Sequence, residues 1–335
     1  MSSGRSFRAP PGPAAKTERR DRATFSVVIA AYNAAGSIGE AVESALAQTE
    51  PPLEVIVYDD GSTDATSSAL EPYRDRILYL AGPHAGVAAA RNAAFTRSTG
   101  EFVAVLDADD AYVPGRLEAL ADLAAARPDL DVLCTDVLFE IDGRVVGRFG
   151  ESTPFEIVNQ RAAILERCFC VAPAFRRSKV VAVSGYDVSM RTAEDWDLVA
   201  RLLFAGAAAG VVDEPLYRYR IRRGSLTADR VAALRERVHF LERVGRTYEL
   251  DDEERAALSR SLARQRAALA LTEVEAALRA RSTDARRRAL GAALVGGVAL
   301  RTRAAALAAA VAPRTAARVL ERRALRGKSR LERVV

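Results

Sequence analysis

Three aspartates close together follow an apolar segment in the first third of the chain. Asp107, Asp109 and Asp110 come directly after the run Glu101–Leu106, which Gly100 precedes and which is typical of a buried parallel strand. Because alternate side chains of an extended chain share a face, Asp107 and Asp109 would project together beyond the strand end. Two carboxylates in one crevice repel each other unless a cation or hydrogen-bond donors offset their charge. The spacing therefore indicates a site for a hard divalent cation, with an acidic loop that caps the next helix as the alternative.

A second acidic group stands at the start of a later apolar helix. Glu194, Asp195 and Asp197 fall in the first turn of the segment Thr192–Ala205. Acidic residues at a helix N-terminus are stabilised by the macrodipole alone, so this pattern leaves capping and catalysis both open. Because adjacent helix residues point about 100° apart, Glu194 and Asp195 are expected to do different jobs if they take part in chemistry.

Arginines crowd a short polar segment that follows. Tyr217–Thr227 contains Arg218, Arg220, Arg222 and Arg223. A solvated basic loop and a clamp for a diphosphate both fit this composition, because guanidinium groups bind phosphate oxygens in pairs.

Strands and helices alternate through the first part of the chain in a way that would bring the acidic groups together. The predicted strands are Phe25–Ala31, Leu53–Tyr58, Ile77–Leu80 and Glu101–Leu106, and the predicted helices begin at Ser37, after a cap at Ser62 or Thr63, and at Gly86. This alternation is typical of an open α/β sheet, in which ligands bind beyond the carboxyl ends of the strands. Three such ends carry Tyr32-Asn33, Asp59-Asp60, and Asp107 with Asp109. No Gly-x-Gly-x-x-Gly follows the first strand, which weighs against a dinucleotide-binding fold.

The remaining chain predicts a mixed sheet and then a helical region. The segments Asp131–Glu140 and Arg144–Phe149 flank Asp142-Gly143, which is a strong hairpin signal. Further elements are predicted as a helix at Gln160–Arg167, a strand at Val171–Phe175, an edge strand at Val211-Val212, and helices over 229–248, 252–281, 283–297 and 301–324.

Composition limits the chemistry that this chain can perform. It has 335 residues, only two histidines, and three cysteines without zinc or disulfide spacing, so catalysis must rest on carboxylates, arginines and backbone. A reducing cytoplasm is the simplest home for such a chain. Residues 281–335 hold fourteen basic and three acidic residues, a net +11, whereas the whole chain is +5. The basic ends predict contact with a polyanionic surface, and solubility alone is the alternative. No segment has the features of a signal peptide or the length of a membrane span.

Taken in order, the motifs resemble those of family 2 inverting glycosyltransferases of the GT-A fold. The matching segments are Ala31-Tyr32-Asn33, Val55–Asp64, Gly86–Asn92, Leu106–Asp110, Glu194–Leu198 and Tyr219–Ser225. The resemblance implies an α/β fold with a GT-A-like mixed, mainly parallel sheet flanked by helices and an α-helical C-terminal extension. It divides the chain into a disordered basic tail (1–23), a GT-A glycosyltransferase domain (24–228) and a helical Ala/Arg-rich region (229–335).

The resemblance also implies roles for individual residues. One sugar would move from a nucleotide-diphosphate donor to an acceptor hydroxyl, in cell-envelope glycan or glycolipid synthesis. The residues implied in donor binding are Ala31, Tyr32, Asn33, Asp60, Arg91, Asp107, Arg220 and Arg222. Asp109, with Asp107, would bind Mn²⁺ or Mg²⁺. Asp195 would act as general base, while Glu194 orients the acceptor.

The sequence departs from the family at one position and leaves other classes open. Family members often place a histidine where this chain has Arg222, which binds phosphate well but cannot ligate a metal. The Gln-x-x-Arg-Trp motif of processive synthases is absent, so single sugar addition is expected. The alternatives are a nucleotidyltransferase acting on a sugar phosphate and a non-catalytic nucleotide- or membrane-binding protein.

The expected partners are a nucleotide-sugar donor and a glycan, glycolipid or protein acceptor. An anionic membrane surface is a further partner, and no nucleic acid is expected. The expected location is the cytoplasm, with peripheral contact at the inner face of the membrane.

Overall fold

A computed structural model describes residues 22–156, 158–221, 229–294, 300–313 and 315–316. Its strands are β1 (Phe25–Ala31), β2 (Glu54–Asp59), β3 (Leu78–Ala81), β4 (Phe102–Asp107), β5 (Ala111–Tyr112), β6 (Val132–Ile141), β7 (Arg144–Arg148), β8 (Ala174–Arg176) and β9 (Ala209–Arg220). Its helices are α1 (Ile38–Leu46), α2 (Thr66–Ala69), α3 (Val87–Arg97), α4 (Arg116–Ala126), α5 (Phe149–Ser152), α6 (Gln160–Glu166), α7 (Arg177–Ala182), α8 (Glu194–Phe204), α9 (Arg230–Thr247), α10 (Asp252–Arg279), α11 (Ala285–Leu294) and α12 (Leu300–Val311). Within these ranges no helix combines the length and apolarity that spanning a bilayer requires.

The strands form one mixed sheet in the order β3-β2-β1-β4-β8-β6-β9-β5, and β7 pairs with the outer part of β6. The first four strands in this order are parallel, because helical crossovers connect β1 to β2, β2 to β3 and β3 to β4. The register aligns Ala31 with Asp59 and Ala30 with Asp107. The acidic ends of β2 and β4 therefore flank the end of β1, and the predicted convergence of strand ends is confirmed.

The predicted hairpin is confirmed, whereas the region after it needs three corrections. β9 runs from Ala209 to Arg220, so the loop that was one alternative for Tyr217–Thr227 is wrong over Tyr217–Arg220. Tyr217 is fully buried and aligns with Val137 of β6, because apolar and arginine side chains alternate here with the period of a strand.

The second and third corrections are local. The strand predicted at Val171–Phe175 begins only at Ala174, since Ala172 has a φ of 44° and Pro173 follows it. The helix after Gly61 is capped by neither Ser62 nor Thr63. Asp64 instead accepts a hydrogen bond from the Thr66 amide at 2.9 Å.

Apolar side chains pack on both faces of the sheet, and the C-terminal helices extend one of these cores. Alternation along β1 sends Val28 to one face and Val27 with Ile29 to the other. Phe240 and Leu241 of α9 join the core on the Val28 side, together with α6 and α8. A separate apolar cluster lies between the end of α10, α11 and α12.

The four helices predicted after residue 228 correspond to α9–α12. The predicted tail, apart from residues 22–23, lies outside the described residues, as do 295–297, 314 and 317–324 of the predicted helices.

Candidate active site

The strand-end aspartates lie on the turn that leaves β4. Asp107 is the last residue of β4, and its carbonyl accepts a hydrogen bond from the Asp110 amide at 3.1 Å. Asp110 is buried, and its carboxylate accepts from the Tyr217 hydroxyl and the Arg220 amide, both at 2.8 Å. The turn is thereby tied to the end of β9. Asp109 lies between these two residues and is half-buried.

Burial and neighbouring charge act together on Asp110. Burial first, and the charge of Asp107 second, raise the pKa of Asp110 to about 8. Negative charge at this turn is therefore costly without a cation.

Arg91, on α3, is buried and joins the two acidic groups. Its Nη1 atom donates to Glu194 Oε1 at 2.9 Å and to Asp195 Oδ1 at 3.0 Å. Its Nη2 atom donates to Asp107 Oδ1 at 2.6 Å. Burial opposes the charge on Arg91, but the carboxylates of Asp195 and Asp107 outweigh it and hold the pKa of Arg91 well above its usual value. One cation thus links the turn after β4 to the start of α8.

Glu194 and Asp195 differ in their exposure to solvent. The Glu194 side chain is 11% exposed, and the Asp195 side chain is 33% exposed. Burial, and then the charge of Asp195, raise the pKa of Glu194 to about 7. Adjacent helix residues point in different directions, yet Glu194 and Asp195 both contact the same nitrogen of Arg91. The two side chains therefore share an ion-pair partner and differ in their exposure to solvent.

Tyr186 and Asn92 belong to the site, although the sequence prediction missed both. The Tyr186 hydroxyl donates to Asp195 Oδ1 at 2.9 Å. Asn92, next to Arg91 on α3, holds the Tyr186 backbone through its amide and carbonyl, each contact at 2.8 Å. Gly185 permits this approach, because its φ is 68° and a Cβ there would lie 2.4 Å from Asn92 Oδ1. Two features of the sequence could have indicated these residues, namely the turn at Gly185 beside Tyr186 and the motif Gly86–Asn92, which ends at Asn92.

The start of α8 is fixed from outside by α9. Ala193, just before the helix, has a left-handed φ of 61°. Glu236 of α9 accepts from the Thr192 amide at 2.5 Å and from its hydroxyl at 2.7 Å. Arg243 of α9 pairs with Asp197, which is almost fully buried. Asp197 is therefore part of the brace that holds the helix, and Glu194 and Asp195 are left facing Arg91.

The residues predicted to line a nucleoside pocket lie beside this cleft. Asp60 is buried, and its two oxygens accept from the amides of Ala85 and Gly86 at 2.8 and 2.9 Å. His84 stacks its ring on Tyr32 with 4.0 Å between centroids, and Tyr32 is 47% exposed. His84 therefore covers one face of the Tyr32 ring, and about half of the side chain stays open to solvent. The Asp60 carboxylate holds the loop before α3.

Two further predicted residues shape the end of β1. Ala31 is buried, and its carbonyl accepts from the Asp60 amide at 2.8 Å. Asn33 has a φ of 49° and accepts from the Thr63 amide at 2.8 Å, which links the β1 and β2 turns.

The predicted arginine clamp is described only in part. The Arg220 guanidinium pairs with Glu40 of α1 and lies 3.8 Å from Glu140 of β6. Its described contacts are therefore carboxylates. Arg222 lies outside the described residues.

The chemistry of the cleft fits a hard dication. Arg91 interacts with the carboxylates of Asp107, Glu194 and Asp195. Asp110 in turn interacts with Asp107 and Asp109. Across the ranges that the structure covers, no three ligand side chains enclose a single point. Magnesium-type sites commonly use one or two carboxylates and let substrate phosphates and water complete the shell. Asp109 and Asp107 provide a donor set of this kind.

The fold matches solved glycosyltransferase structures. The mannosyltransferase PcManGT from Pyrobaculum calidifontis, in complex with GDP-Man and Mn²⁺, superimposes with a TM-score of 0.58 at 22% identity over 91% of this chain and 80% of that one. The mixed sheet with helices on both faces therefore has the GT-A fold.

Sequence relatives identify the family. The model for glycosyl transferase family 2 matches residues 26–182. The succinoglycan biosynthesis protein ExoO of Rhizobium meliloti is 35% identical over 60% of this chain and 61% of its own length. The glucosyltransferase WfaP of Escherichia coli, which transfers from UDP-Glc to α-D-GlcNAc-diphosphoundecaprenol, is 30% identical over 66% of this chain and 86% of its own. The chain belongs to glycosyl transferase family 2, and the nucleotidyltransferase and non-catalytic alternatives are set aside.

Proposed function

We propose that this chain is an inverting glycosyltransferase that moves one sugar from a nucleoside-diphosphate donor to an acceptor hydroxyl. The observation that carries the proposal is the buried Arg91, which contacts carboxylates from the β4 end and from the α8 start. A base and a phosphate-binding site must lie on opposite sides of one reacting carbon, and this arrangement supplies both acids in one cleft. The division into residues 24–228 for catalysis and 229–335 as a helical region is part of the proposal.

Asp195 is the proposed general base. It is the more exposed of the helix-start acids, and both its contacts, from Arg91 and Tyr186, fall on Oδ1. Oδ2 has no hydrogen-bond partner among the residues of the described ranges, which suits a group that must accept a proton from an acceptor. Two donors on one oxygen fix the orientation of the carboxylate. Glu194, buried beside it, is the proposed acceptor-orienting group.

The proposed reaction needs no general acid to protonate the leaving nucleoside diphosphate. The acceptor oxygen forms a bond to the anomeric carbon as its proton passes to Asp195. The bond from that carbon to the phosphate oxygen breaks, and the nucleoside diphosphate leaves with the electron pair. Attack from the face opposite the leaving group inverts the configuration. Asp109 and Asp107 are the residues that would hold a dication, which would stabilise the negative charge on the diphosphate oxygens.

Tyr32 and Asn33 are the proposed contacts for the nucleoside, with Ala31 and Asp60 shaping the pocket behind them. The exposed Tyr32 ring supports this, because nucleobases stack on aromatic faces. Arg220 and Arg222 are the proposed diphosphate contacts, and Arg220 would have to exchange its carboxylate partners for phosphate.

The proposed acceptor is a lipid-linked or cell-envelope glycan. The name of ExoO assigns it to succinoglycan biosynthesis, and the name of WfaP gives a diphosphoundecaprenol-linked acceptor. The relation of this chain to both proteins supports the proposal. A cytoplasmic site of action follows from a nucleotide-sugar donor.

A donor panel tests the reaction. Nucleotide-sugars are titrated by calorimetry with and without Mn²⁺, and release of nucleoside diphosphate is followed with lipid-linked acceptors and without acceptor. Acceptor-dependent diphosphate release and an inverted anomeric centre, seen by NMR, are expected. Pyrophosphate release, a retained configuration, or binding of no donor would each overturn the proposal.

A further inference from the structure

Helices α11 and α12 pack their small side chains inward and their large apolar side chains outward. The buried side chains described on these two helices are all alanines, namely Ala285, Ala289, Ala292, Ala293, Ala306, Ala309 and Ala310. The exposed large apolar side chains are Leu290 at 51%, Leu294 at 84%, Leu307 at 48% and Val311 at 77%. A helix pair that ended in water would place its leucines in the core, because burial stabilises a leucine more than an alanine.

The exposed apolar side chains form two neighbouring rows. Leu290 and Leu294 are four residues apart on α11, as are Leu307 and Val311 on α12, so each pair lies on one helix face. Arg286, one turn before Leu290 on the same face, lies with its Nη2 atom 3.5 Å from the Val311 carbonyl oxygen. The two rows are therefore adjacent, and these four residues are named the α11–α12 apolar face.

The positive charge of these segments distinguishes among the partners that could cover the α11–α12 apolar face. Residues 281–294 and 300–313 contain six arginines and one aspartate, a net +5. Arg287 pairs with that aspartate, Asp284, and Arg288 pairs with Glu273 of α10, so the positive charge of the segment is reduced but not cancelled. A second copy of the chain would bring the same positive charge to the contact and be repelled. Nucleic acid would neutralise the arginines but leave the leucines in water. An anionic bilayer offers phosphate to the arginines and acyl chains to the leucines.

The face is also distant from the cleft. Leu258, near the start of α10, packs into the core of the sheet region, whereas Leu278 near its end packs against α11 and α12. These 20 positions of continuous helix span about 30 Å at 1.5 Å per residue. A bilayer on the α11–α12 apolar face would leave the cleft between β4 and α8 open.

We infer that the α11–α12 apolar face docks reversibly on an anionic lipid bilayer. The inference rests on the proposed function and adds a partner to it. Its test measures binding without turnover, so the membrane inference and the proposed reaction can be contradicted independently.

Vesicle flotation of the full-length protein provides the test. Vesicles of phosphatidylcholine with phosphatidylglycerol are compared with phosphatidylcholine alone, at low and high salt. The variant Leu290→Gln/Leu294→Gln removes apolar surface without changing charge. Val145→Gln/Val146→Gln is the matched control, because both valines are more than half exposed on β7. We expect salt-sensitive binding to the anionic vesicles, reduced about tenfold or more by the leucine variant and unchanged by the control.

Three results of the flotation experiment would overturn the inference. They are no flotation of the wild-type protein at low salt, equal binding of the leucine variant, and equal binding to neutral vesicles. Hydrogen exchange of the wild-type protein adds a readout independent of any variant. Vesicles should protect 285–294 and 300–311, and unchanged exchange there would contradict the inference. A dimer that the leucine variant converts to a monomer would assign the face to a second copy instead.

Discussion

The two acidic groups that meet at Arg91 are held in place by different means. The strand-end set (Asp107, Asp109 and Asp110) is positioned by the register of β4 and by backbone contacts, with Asp110 locked against β9. The helix-start set (Glu194 and Asp195) is positioned by side chains from other elements. Tyr186 and Arg91 hold Asp195, and α9 braces the segment just before it. The strand-end set is held by the sheet itself, whereas the helix-start set is held by side chains from outside the sheet.

This difference indicates a division of labour. A rigid turn at the end of parallel strands suits a group that binds phosphate and metal in one geometry. A partly exposed carboxylate held by two donors suits a group that must accept a proton and release it. Arg91 is shared, so each set depends on the other for its charge balance.

The largest effect is expected from the strand-end set. Asp109→Asn removes charge where a dication would bridge protein and diphosphate, so transfer should fall about 10³-fold or more. Calorimetry of donor binding with and without Mn²⁺ should lose its metal dependence. Asp129→Asn, on an exposed ion pair, is the control and should behave as wild type. Unchanged turnover in Asp109→Asn would mean that the strand-end site is misassigned.

Removal of the shared cation should destabilise both sets at once. Arg91→Met leaves Asp107, Glu194 and Asp195 without their common partner, and loss of one member of a buried ion pair costs about 3–5 kcal/mol in the free energy of unfolding. Denaturant unfolding measures it. The deficit should shrink as pH falls, because protonated carboxyls no longer need a cation.

Arg127→Met, on a surface pair, is the control and should cost less than about 1 kcal/mol. A similarly small loss in Arg91→Met would show that the two sets do not depend on one cation.

The smallest effect concerns the pH dependence of stability. The pKa of Glu194 is about 7 in the folded protein, against 4.5 for an unperturbed glutamate. The folded state therefore binds this proton more tightly, so its contribution to stability is complete below pH 4.5 and lost as pH rises through about 7. Glu194→Gln should flatten that decline by between about 1 and 3 kcal/mol.

The raised pKa of Asp110 also makes stability fall as pH rises, and Glu194→Gln leaves that contribution unchanged. The Glu194 contribution is therefore the difference between wild type and variant in urea unfolding measured at the same series of pH values. Glu275→Gln, on an exposed pair with Arg279, is the control and should keep the wild-type slope. An equal slope in Glu194→Gln would contradict the assignment.

The sequence predicted the strand-end set well because it depends on local pattern. Alternation and apolar runs are properties of the strand itself, and the convergence of Asp59 with Asp107 follows from parallel pairing. The α/β class and the C-terminal helices were predicted for the same reason.

The helix-start set could not be predicted in the same detail because its contacts are tertiary. No local pattern indicates that Arg91 faces carboxylates, that Tyr186 donates to Asp195, or that Glu236 braces α8. The strand at Tyr217–Arg220 was missed because its arginines make the segment look like a polar loop. The alternation of tyrosine and arginine is recognisable as a strand pattern only once β9 is seen to pair with β5 and β6.

The most direct test of the account is a comparison of Asp195→Asn with the wild-type enzyme in two assays. Donor affinity is measured by calorimetry, and nucleotide release is measured with acceptor present. We expect unchanged donor affinity and transfer slower by about 10²–10⁴-fold, because a general base acts only as the new bond forms. Glu194→Gln should lose less rate and more acceptor affinity. Near wild-type transfer by Asp195→Asn would contradict the account, and a larger rate loss in Glu194→Gln would assign the base to Glu194.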